Sequence, residues 1–506
     1  MFNLPTSTKT STRTRTRGRG LAAGIAVTAA FSATVLVPGV ASAAPAAPER
    51  VAVAEPVAGP LMNYAVNATQ ANRGQTLKVE RAVEAAGGTV IESYAEIGVV
   101  IAQSDNAAFA DSVAAQQGVL SVGATRTAPV TADDPTFGVN DPLAHGESGN
   151  HPADKSTAKT KDAGVEALGT VAADPGESLQ WDMTAIGADK AHEVTDGDRS
   201  VLVAVLDSGI QGDHPDLEAN IDTSASASCL SGVPDTSYDS WQPTTSSHGT
   251  HVAGTIAAAR NGVGIVGVAP NVRVSAVKVV NDDGFIYPEA AICGFMYATA
   301  TGADVTNNSY YIDPWMYWCD DDADQAAVKT AVDRAVQYSQ EHGVLNVAAA
   351  GNENTDLANK TVDTTSPDDT TPATRPINAD CTDLPAELDG VVTVASTTQA
   401  GERSSFSNYG LGIIDVAAPG SRILSTVAGS GYAYYSGTSM ASPHVAGVAA
   451  LLKSAHPELS GPALGDVIAA QANDVPCPAA ATACTGTTED NGFFGDGLVD
   501  ALEAVS

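Results

Sequence analysis

The chain has 506 residues, 43% of them hydrophobic, which favours two or three domains with a substantial core. Its formal net charge is −34, from 59 acidic and 25 basic side chains. An acidic surface repels phosphate backbones and anionic lipids, so nucleic acids and membrane surfaces are poor candidates as partners. The same carboxylates suit the binding of hard cations.

The first 43 residues have the pattern of an export signal. An arginine-rich stretch before Gly20 precedes an apolar run over residues 21–37, and the small residues 41–43 follow. This order predicts a signal peptide over residues 1–43, and hence a secreted, extracellular protein that is not attached to a membrane after cleavage. An uncleaved anchor helix is the alternative, because the apolar run is nearly long enough to span a bilayer.

Residues 62–123 are predicted to form a small α+β unit. Strand-like and helical periodicities follow one another in the order βαββαβ, which is typical of a ferredoxin-like sandwich. Residues 131–177 follow as a polar linker, which we expect to be exposed and open to cleavage. The predicted strands are 62–68, 89–94, 98–102 and 119–122, and the predicted helices are 76–86 and 107–117.

In residues 178–506, short Val- and Ala-rich runs alternate with helical segments. Continuous apolar runs bounded by turn residues are typical of buried parallel strands. The alternation predicts a doubly wound α/β fold with a mostly parallel sheet, whose active site lies at the carboxyl ends of the strands. Residues 497–501 are predicted to be a last short strand that leads into a terminal helix and completes the domain. The other predicted strands are 201–206, 272–280, 305–307, 344–350 and 391–396, and the predicted helices are 249–259, 288–300, 324–342 and 438–455.

Three segments of this domain carry side chains suited to acyl transfer. Asp207 ends the strand Val-Ala-Val-Leu-Asp-Ser-Gly, His248 opens a helix in Ser-His-Gly-Thr-His, and Ser439 opens another in Gly-Thr-Ser-Met-Ala. Acyl transfer needs a nucleophile, a base that takes its proton, and a carboxylate that sets the tautomer of the base. Each residue alone could be a capping or turn residue, but together they predict a catalytic triad.

These blocks, in the order Asp, His, Ser, resemble the signature motifs of the subtilisin-like serine peptidases, peptidase family S8. The resemblance covers roughly residues 180–455. It implies a subtilisin-like fold and the hydrolysis of peptide bonds in protein or peptide substrates, and we expect a monomer. By the family pattern, the general base is His248 and not His251. The amide of Asn352, after a strand-end Ala-Ala-Ala-Gly, would donate to the oxyanion together with the Ser439 N–H.

The resemblance extends, less specifically, to the segment before the peptidase domain. Residues 44–130 are similar to the I9-like inhibitor propeptides of this family, which implies that they assist folding and occupy the cleft as an intramolecular inhibitor. We therefore expect a zymogen with a signal peptide (1–43), a propeptide (44–130), a linker that contains the maturation site (131–177) and a peptidase domain (178–506).

A structural calcium site is also implied by the resemblance. Two side-chain oxygens, three backbone carbonyls and one further carboxylate would form an all-oxygen shell, which suits calcium. A solvent-exposed loop without an ion is the alternative. The implied ligands are the side chains of Asp216, Asn261 and Glu177 and the carbonyls of Ala259, Val263 and Ile265.

Six cysteines in an exported chain favour three disulfides, although sequence alone permits fifteen pairings. The pairs we favour are Cys477–Cys484, which would close a short loop, Cys319–Cys381, which would tie two acidic insertions together, and Cys229–Cys293, which remains.

Substrate preference is left open by the sequence. Tyr310 and Tyr311 stand at the edge that should pair with the substrate backbone, where their rings could narrow a subsite. Acidic insertions at 313–324 and 354–385 could attract basic or extended substrates, or could be solvated loops. The alternative to a broad endopeptidase is therefore a dedicated processing peptidase that cuts a partner precursor. An esterase is disfavoured, because its nucleophile normally lies in Gly-x-Ser-x-Gly.

Overall fold

The computed structural model describes residues 58–137, 166–167 and 174–506. The predicted signal peptide and most of the predicted linker lie outside these residues. Within the described part of the chain, no helix is both long and apolar enough to cross a lipid bilayer.

The N-terminal unit contains four strands and two helices. In chain order these are β1 (Ala58–Ala68), α1 (Arg73–Ala85), β2 (Thr89–Tyr94), β3 (Val99–Asn106), α2 (Phe109–Ala114) and β4 (Val119–Ala124). The strands pair antiparallel in the order β2-β3-β1-β4, so the predicted ferredoxin-like sandwich is confirmed. Asn72 caps α1 by accepting a hydrogen bond from the Gln75 N–H. Val79, Val83 and Phe109 pack the helices against one face of the sheet.

The remaining described strands form one large sheet and three small ones. In chain order they are β5 (Glu166–Ala167), β6 (Leu202–Asp207), β7 (Ala227–Ser228), β8 (Arg273–Lys278), β9 (Val305–Asn308), β10 (Trp318–Cys319), β11 (Leu345–Ala349), β12 (Val362–Asp363), β13 (Arg375–Pro376), β14 (Cys381–Thr382), β15 (Val392–Thr397), β16 (Val416–Pro419), β17 (Ile423–Val427) and β18 (Gly431–Tyr435). The large sheet is parallel throughout, in the order β16-β15-β11-β9-β6-β8-β7. The strand order reverses at β6, which has β8 on one side and β9 on the other. In open α/β sheets, ligands bind beyond the carboxyl ends of the strands at such a point.

Helices cover both faces of this sheet, which confirms the doubly wound α/β architecture. The remaining described helices are α3 (Trp181–Ala185), α4 (Ala188–Ala191), α5 (His248–Ala257), α6 (Pro288–Ala300), α7 (Ala323–Glu341), α8 (Thr438–Ala455) and α9 (Pro462–Gln471). Val203 and Val205 of β6 pack towards α5 and α8. Ala204 and Leu206, which alternate with them, pack towards α6 and α7. A strand buried on both faces needs apolar residues at every position, and this explains the continuous apolar runs.

The N-terminal sheet packs its second face on α6 and α7. Ile101 of β3 belongs to the same core cluster as these helices. Arg334 of α7 donates to the carbonyl oxygen of Gly98, at 3.1 Å. A Cβ at Gly123 would lie 2.2 Å from the carbonyl oxygen of Asp324. Only glycine therefore allows β4 to lie this close to α7.

The three disulfides that the sequence favoured are all present, as Cys229–Cys293, Cys319–Cys381 and Cys477–Cys484. Cys319 and Cys381 lie opposite each other in the ribbon that β10 and β14 form. The two acidic insertions are thus joined to each other through both a ladder and a covalent bond.

The C-terminal segment packs into the main core with less regular structure than predicted. Leu498 forms only isolated bridges, and the terminal helix is a short 3-10 turn, Glu503–Val505. Gly497 has a φ of +129°, outside the strand region, so the ladder cannot extend through it. Val499 and Ala501 are nevertheless fully buried among the residues of the main core.

Candidate active site

Asp207 is the last residue of β6, at the point where the strand order reverses. Its carboxylate is 1% exposed, and Oδ1 accepts a hydrogen bond of 2.7 Å from the Ser208 N–H. A buried carboxylate at the end of a rigid strand has a fixed position, and it keeps its charge only when donors surround it.

His248 is the first residue of α5 and meets Asp207 directly. Its Nδ1 lies 2.8 Å from Asp207 Oδ1 and 2.9 Å from Oδ2. Gly249 permits this approach, because a Cβ there would lie 2.4 Å from the carbonyl oxygen of Gly209. A carboxylate on Nδ1 makes that nitrogen the protonated one, so Nε2 becomes the nitrogen that can accept a proton.

Ser439 is the second residue of α8, after Gly437 at the N-cap. Its Oγ donates to the carbonyl oxygen of Ser309 at 3.3 Å, and the Ser309 hydroxyl donates back to the Ser439 carbonyl at 3.0 Å. Ser309 directly follows β9, the strand next to β6. The serine therefore lies at the same edge of the sheet as Asp207, in the first turn of a helix, where the dipole favours a nearby anion.

Asn352 lies just beyond the end of β11, on the far side of β9 from β6. Its side-chain oxygen accepts hydrogen bonds from the Thr438 N–H at 2.8 Å and from the Thr438 hydroxyl at 3.1 Å. Since the oxygen is engaged, the amide nitrogen is the part of the group left to donate to a ligand. Asn352 and Ser439 line the same cavity.

Two other histidines near the site have structural contacts. His251 is fully buried one turn further along α5, and its Nε2 lies 3.1 Å from the Ile423 carbonyl oxygen and 3.2 Å from that of Ala433. Burial and the neighbouring His248 lower the pKa of His251 to about 3, so its ring is neutral. His444 of α8 is buried against Asp182, with Nε2 3.0 Å from the carboxylate.

The residues implied as calcium ligands are only partly assembled around one point. Asp216 is fully buried, and its Oδ2 accepts from the Ile265 N–H and the Tyr432 hydroxyl, each at 2.9 Å. Asn261 ties the loop to the neighbouring segment, since its Nδ2 donates to the Pro215 carbonyl oxygen at 3.0 Å. The loop that offers the Ala259, Val263 and Ile265 carbonyls therefore lies against the Asp216 carboxylate.

Glu177 differs from the other implied ligands, because a cationic side chain holds it. Its Oε1 lies 2.8 Å from the Arg260 guanidinium, and both side chains are more than a third exposed. Arg260 stands inside the same loop, between Ala259 and Asn261. The oxygen-only donor set of Asp216 and the loop fits a hard cation, while Glu177 has a competing partner.

A cavity of about 370 Å³ opens beside Ser439. Ser309, Tyr310 and Tyr311 form one wall, so both tyrosines shape it as the sequence suggested. Residues of the two acidic insertions also reach it, among them Asp383, which sequence analysis did not single out. The only signal in the sequence was the acidic composition of those insertions, which does not tell a cavity wall from a solvated loop.

Comparison with known proteins places this chain among characterised peptidases. The model of the family described as Subtilase family matches residues 198–497, more than half of the chain. Subtilisin of Bacillus pumilus is 36% identical over 281 residues, 56% of this chain and 86% of that protein. Subtilisin E of Bacillus subtilis (strain 168) is also 36% identical over 281 residues, and the match spans 62% of its length. The crystal structure of the epidermin leader peptide processing serine protease from Staphylococcus aureus has a TM-score of 0.62, at 20% identity, over 88% of this chain and 98% of its own.

The fold and these matches define a subtilisin-like serine endopeptidase. The chain belongs to the subtilase family.

Proposed function

We propose that this protein is a secreted endopeptidase that cuts peptide bonds with Ser439 as nucleophile, His248 as general base and Asp207 as the carboxylate that orients the base. The observation that carries the proposal is the contact of His248 Nδ1 with both carboxylate oxygens of Asp207, at 2.8 and 2.9 Å. Ser439 supports it, since its hydrogen bonds with Ser309 hold it at the adjoining strand end.

The chemistry follows from these positions. Ser439 Oγ attacks the carbonyl carbon of the scissile bond while His248 Nε2 takes the hydroxyl proton. The C–N bond of the tetrahedral intermediate then breaks, and the same proton passes from Nε2 to the leaving amine. Water repeats the two steps on the acyl-enzyme and releases the acid. The 3.3 Å bond from Oγ to the Ser309 carbonyl is a resting contact, which the hydroxyl exchanges for Nε2 when substrate binds.

Asn352 would stabilise the oxyanion of the intermediate. Its side-chain oxygen accepts hydrogen bonds from Thr438, so the amide N–H groups point away from Thr438 and are left to donate to a ligand. The Ser439 N–H, at the start of α8, would be the second donor. Loss of one such donor lowers kcat by about 10²–10³, a magnitude that comes from subtilisin itself.

Residues 44–130 would act as a propeptide that inhibits the enzyme until it is cleaved away. The support is that residues 58–137 form a separate sandwich with its own core, packed on α6 and α7. Arg126 is one of its anchors: the guanidinium pairs with Glu289, the second residue of α6, and lies 3.8 Å from the centre of the Tyr287 ring. Secretion is supported by the pattern of residues 1–43.

Calcium would bind at the loop beside Asp216. The side chains of Asp216 and Asn261 and the carbonyls of Ala259, Val263 and Ile265 would hold it, and Glu177 would have to leave Arg260 to join them. Bound there, the ion would supply a cross-link between the loop and the Asp216 segment. This raises the free energy of unfolding and takes no part in the hydrolysis.

Labelling with a fluorophosphonate tests the proposed nucleophile. The processed wild-type protein should react at one serine, and peptide mapping should place the adduct on Ser439. The Ser439→Ala protein should neither react nor cleave casein. Ser442→Ala is the matched control, because that serine lies in the same helix turn and is fully buried, with its hydroxyl on Asn307. Labelling at Ser442, or none on folded and processed protein, would refute the assignment.

A further inference from the structure

The cavity beside Ser439 begins where the scissile carbonyl would lie. Ser439 and Asn352, the proposed nucleophile and oxyanion donor, both line it. From there it runs between the Ser309–Tyr311 edge and residues of the acidic insertions. The side chain within reach is therefore that of the substrate residue that contributes the carbonyl.

Four carboxyl groups line this cavity, from Asp313, Glu353, Asp368 and Asp383. The described residues around it include no lysine, arginine or histidine to balance them. The apolar part of the lining comes from the ring of Phe285 and from the aliphatic side chains of Ile286 and Met316. A pocket with apolar walls and several carboxyl groups suits a side chain with a long aliphatic stem and a cationic tip.

Three of the carboxyl groups already have donors within the protein. Asp313 Oδ2 accepts from the Ile286 N–H at 2.5 Å, and Asp368 Oδ2 accepts from the Tyr311 hydroxyl at 2.8 Å. Glu353 Oε2 accepts from the Asn352 N–H at 2.9 Å. These contacts fix the three groups in place and use much of their capacity to accept.

Asp368 keeps one buried oxygen, Oδ1, without a hydrogen-bond partner among the described residues, although Tyr311 holds its Oδ2. Asp383 differs because no such donor from a described residue holds its carboxyl group. It is 2% exposed, and its Oδ1 has no hydrogen-bond partner in the described part of the chain. Lys360, a cation that acts on Asp383 electrostatically, is held by Glu387 at 2.5 Å. Burial, Glu387 and Glu353 raise the pKa of Asp383 well above its usual range. A buried carboxyl without a partner is costly unless a donor or a cation reaches it.

We propose that this cavity is a specificity pocket for lysine or arginine on the carbonyl side of the cut bond, with Asp383 as the acceptor of the cationic group. The inference rests on the proposed function of Ser439 and deepens it. A cation that enters meets the buried Oδ1 of Asp383 and, in the same lining, that of Asp368, both without a hydrogen-bond partner in the described part of the chain. Asp383 is the one of the two that no side-chain hydrogen bond already holds, whereas Tyr311 holds Asp368. A carboxylate placed in this way is how a peptidase pocket selects basic residues.

Matched substrates test the charge requirement in the unmodified enzyme. Fluorogenic peptides would differ only at the residue before the cut, which is arginine, citrulline or leucine. Citrulline has nearly the shape of arginine but no charge. We expect kcat/KM for arginine to exceed that for citrulline by about thirtyfold or more, the effect of a buried charge pair. Benzamidine should inhibit competitively, while the neutral benzamide should not.

Variants of the enzyme then test whether Asp383 is the residue that selects the cationic side chain. In Asp383→Asn, the ratio of kcat/KM for arginine to that for citrulline should fall at least about tenfold. Asp321→Asn is the control, because it removes the same charge from an exposed position in the other insertion. Its ratio should stay that of the wild type. If Asp383→Asn does not fold, the substrate series and the benzamidine comparison on wild type still decide the matter.

The outcomes separate this inference from the proposed function. If Ser439 is labelled and leucine or citrulline is cleaved as well as arginine, the specificity proposal is wrong while the nucleophile stands. If Ser439 is not labelled and no peptide is cut, the proposed function itself fails. Inhibition by added calcium without any preference for arginine would mean that the carboxyl groups bind an inorganic cation instead, and this too would overturn the proposal.

Discussion

His248 presents Nδ1 to both carboxylate oxygens of Asp207, at 2.8 and 2.9 Å. Both residues are almost completely buried, at 3% and 1% exposure. A second buried pair joins His444 of α8 to Asp182 of α3, with a similar distance of 3.0 Å between Nε2 and the carboxylate. The two pairs share chemistry and burial, so their comparison separates a catalytic role from a structural one.

Replacing Asp207 with asparagine should lower kcat by about four orders of magnitude, because an amide favours the wrong tautomer of the histidine. The rate would be measured on peptides, with the variant first processed by added wild-type enzyme. Asp182→Asn is the control, and it should lower the melting temperature while the folded protein keeps its kcat. Equal losses of kcat in the two variants would contradict the assigned roles.

Replacing Asn352 with leucine should lower kcat by about 10²–10³ with little change in KM, because the donor acts on charge that develops only in the transition state. Steady-state kinetics on a peptide anilide would measure both constants. Asn359→Ala, on the exposed surface of a nearby turn, should leave them unchanged. A rise in KM with constant kcat would mean that Asn352 binds the substrate ground state instead.

Calcium at 100 times its dissociation constant should raise the free energy of unfolding by about 3 kcal/mol. The Ser439→Ala protein, which cannot digest itself, would be melted with calcium and with a chelator. Asp216→Asn should abolish the difference between the two curves. Asp213→Asn, an exposed carboxylate three residues earlier, should retain it. Identical melting temperatures with calcium and chelator would exclude a stabilising site.

His251 should make the protein less stable in acid. Its folded pKa of about 3 lies below the ordinary value of 6.5, so the unfolded state binds one more proton between these values. Its contribution is therefore complete above pH 6.5 and is lost as the pH falls towards 3, by about 1.4 kcal/mol per pH unit. In the Ser439→Ala background, His251→Gln should flatten the fall of unfolding free energy over that range. An unchanged slope would show that the ring is not held neutral.

Arg126 should decide how tightly the N-terminal unit stays bound after cleavage. Its guanidinium is 3% exposed between Glu289 and Asp134, and breaking such a buried pair costs about 3–5 kcal/mol. Ser439→Ala protein, clipped in its linker by wild-type enzyme, should elute as one complex on gel filtration. Adding Arg126→Ala should weaken the complex at least about a hundredfold. Lys78→Ala, exposed on α1, serves as control, and similar weakening by it would contradict a specific anchor.

Much of the molecule was predictable from local pattern. Asp207 and Ser439 could be singled out because each stands at the end of an element whose apolar periodicity is unmistakable in the sequence. The ferredoxin-like unit and the parallel sheet followed in the same way, whereas the pairing of Cys229 with Cys293 was favoured only because the other four cysteines had been assigned. Residues 497–501 were predicted less well, because the positive φ of Gly497 interrupts a ladder that its apolar neighbours suggest.

The sequence by itself determined the elements, their order and the chemistry that their ends carry, since periodicity and turn residues act over a few neighbours. Only the tertiary structure decided which distant groups meet. Asp383 reaches a cavity beside Ser439, and Arg126 meets Glu289 across 163 residues. Such contacts depend on how packed layers bring loops together, and no local pattern encodes the burial that distinguishes a cavity wall from a solvated acid.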